Sequence, residues 1–138
     1  MSSNKNMTNA IIVAFATMKD EQILTNSHFG SADSYVLYKC NSLECKKLQT
    51  IKNTTAEERS HNDPGKASSV TELLKKYNVN VIVARRFGPN LKRVNKNFVP
   101  VIVKSESVDE TLKTIHRHTE EIINQWITKP EQRTNILL

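Results

Sequence analysis

The apolar positions of this chain fall into short blocks. Ala10-Ile11-Ile12-Val13-Ala14-Phe15-Ala16 and Val79-Asn80-Val81-Ile82-Val83-Ala84 are nearly continuous apolar runs, the pattern of strands buried on both faces. Gln22-Ile23-Leu24 is a brief extended piece. Ser34-Tyr35-Val36-Leu37-Tyr38-Lys39-Cys40 is rich in β-formers, Asn41-Ser42-Leu43-Glu44 reads as a turn, and Cys45-Lys46-Lys47-Leu48-Gln49-Thr50-Ile51 as the returning strand of a hairpin. Asn62-Asp63-Pro64-Gly65 is a strong turn signal. After it, Val70, Leu73, Leu74 and Tyr77 recur at helical spacing, which predicts a helix over 67–77. Asn78 is suited to end that helix in a left-handed conformation.

Pro89 is placed like a first helical residue, so a short helix is expected over 89–96. Phe98-Val99-Pro100-Val101-Ile102-Val103 is the last strand expected, and Pro100 argues that it lies at an edge. Ser107-Val108-Asp109-Glu110 reads as a capping box. It opens the longest helix, with Val108, Leu112, Ile115, Ile122, Ile123 and Trp126 as its apolar stripe. Residues 1–9 are polar and expected to be disordered, and 129–138, interrupted by Pro130, are expected to form a loose tail. Between them, 10–128 read as one domain, for which the chain length is ordinary.

The predicted order is strand, hairpin, helix, strand, helix, strand, helix. Helical crossovers make the strands that they join parallel. The expected architecture is therefore α/β, with a mixed, mostly parallel sheet of about five strands, one antiparallel hairpin strand, and helices on both faces. Ligands of such sheets bind beyond the carboxyl ends of the central strands. The loop Thr25-Asn26-Ser27-His28-Phe29-Gly30-Ser31-Ala32-Asp33 and the segment Arg85-Arg86-Phe87-Gly88-Pro89-Asn90 should both leave that edge, with 60–66 a third contributor.

Charge adds a preference in ligand. The chain carries a net +6, and residues 39–104 hold fourteen Lys/Arg against five Asp/Glu. That excess attracts anions, whether nucleic acid, acidic protein or a polyanionic small ligand; a merely solvated basic surface is the plainer reading. No signal-peptide core and no span long enough for a bilayer is present, so a cytoplasmic protein with reduced Cys40 and Cys45 is expected.

Within this frame the candidate chemistry is sparse. His28 offers an imidazole, the commonest metal-binding side chain, although a loop histidine is as readily just solvated. Gly30 lets backbone approach a bulky ligand or simply makes a tight turn. Arg85 and Arg86 can form charge-assisted bonds to an anion or stay solvated. Gly88 and Asn90 offer free N–H groups at a helix start, or plain helix initiation. His61 is a weaker metal ligand. Cys40 and Cys45 can face each other across the hairpin, but one C-x4-C cannot complete a four-thiolate site, which favours structural thiols. His116 and His118, two apart on a helix, point to different sides. A two-metal nuclease needs several carboxylates at the strand ends, where only Asp20 is near. An aromatic platform for single-stranded nucleic acid is also missing.

The chain resembles the dinitrogenase iron–molybdenum cofactor biosynthesis domain family, of the type seen in NifX, NafY and the C-terminal part of NifB. The resemblance covers 10–118 and rests on the opening apolar strand, His28-Phe29-Gly30-Ser31-Ala32 followed by Tyr35-Val36-Leu37-Tyr38, a helix, Asn80-Val81-Ile82-Val83, Phe87-Gly88-Pro89-Asn90, and a closing strand and helix. It implies a ribonuclease-H-like, three-layer α/β fold. It also implies non-catalytic binding and delivery of an iron–sulfur cluster or iron–molybdenum cofactor precursor, with donor and acceptor proteins as partners. His28 is the metal ligand it supports, within a cofactor-binding set of His28, Phe29, Gly30, Ser31, Arg85, Arg86, Gly88 and Asn90. Two departures stand out. Ala84-Arg85-Arg86 occupies the place of a usual glycine before Gly-Pro-Asn, and Asn97 that of a usual glycine before the last strand. The paired arginines recharge the ligand edge. A basic nucleic-acid-binding protein without nuclease activity, and a ligandless interaction domain, are the alternative classes.

Overall fold

Strand β1, Ile11–Thr17, lies at the middle of the sheet because both of its faces are apolar. Ile11, Val13 and Phe15 point into one core, and Ala14 and Ala16 into the other. The computed structural model describes residues 10–54, 64–88 and 96–138, with side chains in the first helix described from residue 70. The expected helix over 89–96 lies outside the described residues except at Lys96, as do His61, Asn90 and the segment 1–9 expected to be disordered.

The hairpin forms as expected. β2, Ser34–Cys40, runs antiparallel to β1, and β3, Cys45–Lys52, antiparallel to β2. The connecting turn is held by Asn41, whose side-chain oxygen accepts the N–H groups of Leu43 and Glu44, an Asx turn. Helix α1, Pro64–Lys75, then crosses one face, with Val70 and Leu74 buried. It starts at Pro64, a position where a missing N–H costs nothing, and is followed by Asn78 at φ 60°. β4, Val81–Ala84, and β5, Val99–Ile102, join β1 in parallel.

Among the described residues the sheet has six strands, in the order β3-β2-β1-β4-β5-β6, rather than the expected five or so. β6, Ile136–Leu137, pairs parallel with β5, so the C-terminal segment is not a loose tail. Pro100 is accordingly not on an edge strand. The N–H groups of Val99 and Val103 bond to β4-side carbonyls, which turns the missing N–H of Pro100 away from β4. On that other side β6 pairs only with Val101 and Ile102, so no ladder bond is lost.

The predicted long helix is two helices, α2, Val108–Arg117, and α3, Thr119–Ile127, broken at His118. The Thr119 hydroxyl donates to the carbonyls of Ile115 and His116, diverting them from the helical ladder. Ser107 caps α2 by accepting the Glu110 N–H. The reciprocal half of the box is absent, because the Ser107 N–H donates to Ser105 Oγ. Val108, Ile115 and Ile122 bury their side chains against one sheet face, opposite α1.

Candidate functional site

The β1, β4 and β5 strands present their carboxyl ends at one edge, and the two loops of interest meet there. The chain leaves β1, turns through Asp20, and returns as Ile23-Leu24, with the Leu24 N–H on the Glu106 carbonyl. It then enters a short 3-10 turn, Phe29–Ser31, with His28 as its first flank.

Three contacts join this turn to the segment after β4. The Phe29 N–H donates to the Arg86 carbonyl at 3.0 Å. The Phe29 and Phe87 rings stack with centroids 5.4 Å apart. The third brings Gly88 against His28, where a Cβ on the glycine would stand 3.4 Å from His28 Nδ1. The His28 side chain makes no capping bond, and it has no hydrogen-bond partner among the described residues. It is half-buried.

Beneath the turn lies a polar clamp that sequence reasoning missed. Tyr35 donates its hydroxyl to the Phe29 carbonyl at 2.8 Å. The Asn53 side-chain amide donates to the carbonyls of Gly30 and Ala32 at 3.0 and 2.9 Å, and contacts the Tyr35 oxygen at 3.2 Å. Both residues are buried, and burial pushes the Tyr35 phenol well above its ordinary pKa. The turn's carbonyls are thus paired inside, leaving its outer surface for other work. A tyrosine within a β-rich run and an asparagine at a strand end carried no signal of their own.

The remaining candidates divide. Phe29 is a core residue, 5% exposed, so its ring faces the interior rather than the open edge. Ser31 closes the turn through its N–H on the His28 carbonyl. Gly30 has no positive φ, and a Cβ there would meet only Val70, at an ordinary 3.9 Å. Arg85 donates to Asn26 Oδ1, while Arg86 is exposed.

Cys40 and Cys45 are directly opposite in the hairpin ladder, with Cα atoms 4.0 Å apart, and are joined in a disulfide rather than reduced. Cys40 pairs with Ile11, at the opposite end of β1 from Thr17, which at the usual strand rise puts the pair about 20 Å from the His28 edge. His118 Nδ1 lies 3.2 Å from Glu121 Oε1, and both it and His116 lie on the helical layer α2–α3. No group of three or more His, Cys, Asp or Glu suited to a metal ion occurs among the described residues.

A family profile described as dinitrogenase iron–molybdenum cofactor matches residues 9–118, well over half of the chain. The chain belongs to this dinitrogenase iron–molybdenum cofactor family. Membership ties it, in general terms, to the binding or biosynthesis of that cofactor. The matched span includes the His28 turn, the clamp residues and Gly88, and ends at the break between α2 and α3. No curated protein matches the chain. No helix among the described residues is long and apolar enough to cross a membrane.

Proposed function

We propose that the protein is a non-catalytic carrier that holds an iron–sulfur cluster or iron–molybdenum cofactor precursor at the His28 edge and passes it to an acceptor protein. The observation that carries this reading is the state of His28: an imidazole with no hydrogen-bond partner among the described residues, seated on Gly88 over a turn whose carbonyls are already satisfied. A neutral imidazole so presented is a good iron ligand. Arg85 and Arg86 supply positive charge beside it for an anionic cargo.

The donor set fits a preassembled cargo better than a cluster built in place. Building one calls for several thiolates, whereas the two cysteines sit together at the far end of the sheet. One protein ligand and a basic rim make a hold that an acceptor can outcompete. We also infer that the sheet order, with its antiparallel β1–β3 meander and parallel β4 and β5, is of ribonuclease-H-like type.

The test is anaerobic incubation with preassembled cluster, and separately with iron and sulfide, read by visible absorption on wild type and His28→Ala. Cluster bands in the wild type that weaken in His28→Ala are expected. Bands of equal strength in both proteins would remove His28 from the site, and retention of no cluster from either source would overturn the carrier reading.

A further inference from the structure

A pocket opens beside the His28 edge, on the β5 side. It has a volume of about 470 Å³ and is lined by Asn26, Arg85, Arg86, Ile102, Val103 and Lys104. His28 is not part of it. The volume lies within the range of small-molecule sites.

Topology makes this pocket basic. β4 and β5 are parallel neighbours, with Ala84 paired to Ile102. The residues that follow the two strands therefore emerge side by side: Arg85 and Arg86 from one, Lys104 from the other. The Val103 N–H on the Ala84 carbonyl ties the two exits together. Arg86 is fixed at its backbone by the Phe29 N–H, and Arg85 is oriented by its bond to Asn26 Oδ1. Ile102 and Val103 form an apolar wall.

Nothing among the described residues neutralises the three cations. Among the described residues none of them has a carboxylate within ion-pair distance. No Asp or Glu is among the described residues that line the pocket. Three like charges drawn to one cavity repel each other, and a bound counter-charge relieves that repulsion. A planar guanidinium pair matches the paired oxygens of a carboxylate or phosphate.

We propose that this pocket binds a small oxyanion carrying two or more negative charges, through Arg85, Arg86 and Lys104, independently of any metal. The pocket shares Arg85 and Arg86 with the cluster reading, and the inference goes beyond that reading in bringing in Lys104 and in needing neither His28 nor a metal, since no His, Cys, Asp or Glu is among the described residues that line it. Carboxylate and phosphate sources share this chemistry, and the arms of the test separate them.

The experiment is isothermal titration of the metal-free protein with citrate, pyrophosphate and acetate at matched ionic strength. Wild type, Arg86→Gln, Lys104→Gln and Lys46→Gln are compared, the last removing the same charge on β3. Saturable binding of citrate or pyrophosphate, weakened roughly tenfold in Arg86→Gln and Lys104→Gln and unchanged in Lys46→Gln, is the expected result. Preference between citrate and pyrophosphate assigns the carboxylate or phosphate source. Binding that acetate matches, that Lys46→Gln weakens equally, or that is absent altogether would overturn the proposal. Because no metal is present, failure here leaves the carrier reading standing, and failure of cluster retention leaves this one standing.

Discussion

Gly88 lies against the His28 imidazole, close enough that a Cβ there would stand 3.4 Å from Nδ1. The contact joins the two loops that carry the family motifs, so the glycine sets where the imidazole stands. An alanine fits at that distance, whereas a branched side chain displaces the ring. Gly88→Val is expected to lose cluster retention in the anaerobic reconstitution while Gly88→Ala keeps it. Neither should change stability by more than about 1 kcal/mol in urea denaturation.

Tyr35 and Asn53 hold the His28 turn from below. Tyr35→Phe removes the donor to the Phe29 carbonyl and leaves that buried acceptor only the longer bond from the Ala32 N–H, at 3.4 Å. A cost of about 1–3 kcal/mol is expected, with faster amide exchange at Phe29 and Ser31 measuring the loosened turn.

The same tyrosine makes stability depend on alkaline pH. Its phenol is pushed up from the ordinary 10.0 by burial. Above pH 10 the unfolded chain releases this proton and the folded chain keeps it, so the unfolded state binds fewer protons and stability falls as pH rises. The contribution is complete below pH 10 and declines by about 1.4 kcal/mol per pH unit above it. Denaturation of wild type and Tyr35→Phe between pH 9 and 11 isolates the term, since the other titrating groups are common to both. Parallel slopes would contradict the assignment.

The Cys40–Cys45 bond closes a very short loop, so its effect on the unfolded chain is modest. Replacing both residues by serine is expected to cost about 2 kcal/mol. Cluster retention should be unchanged, because the pair lies at the other end of the sheet from His28. Loss of cluster in the double variant, with the fold intact by circular dichroism, would bring the cysteines back as ligands.

Ile136 is buried in the core beneath α2 and α3, although it belongs to the last strand. Ile136→Ala is expected to destabilise by about 2–5 kcal/mol, measured by urea denaturation. A loose tail would show no effect.

Much of this protein was legible without coordinates. The apolar runs at 10–16 and 79–84, the β-rich hairpin, and the spacing of Val70, Leu73, Leu74 and Tyr77 set the strands, the first helix and their layering. Periodicity is a local property, and burial on one or both faces reads directly from it. That the His28 and Gly88 loops leave the same sheet edge was also expected, because parallel central strands send their carboxyl ends to one edge; their contact came from the tertiary structure.

Tertiary structure alone decided the rest. Ile136–Leu137 is a strand only because β5 offers an open edge, and two residues after a proline-broken stretch carry no period. The break at His118 depends on one threonine hydroxyl choosing backbone carbonyls, which a stripe of apolar positions does not register. Tyr35 and Asn53 are clamp residues because the turn's carbonyls arrive above them from elsewhere in the chain. The basic pocket exists because Lys104 emerges next to Arg85 and Arg86, eighteen or more positions away in sequence, through the pairing of β4 with β5. In each case the deciding interaction is long-range: pairing of backbone edges, satisfaction of buried polar groups, and the gathering of like charges at one end of a sheet.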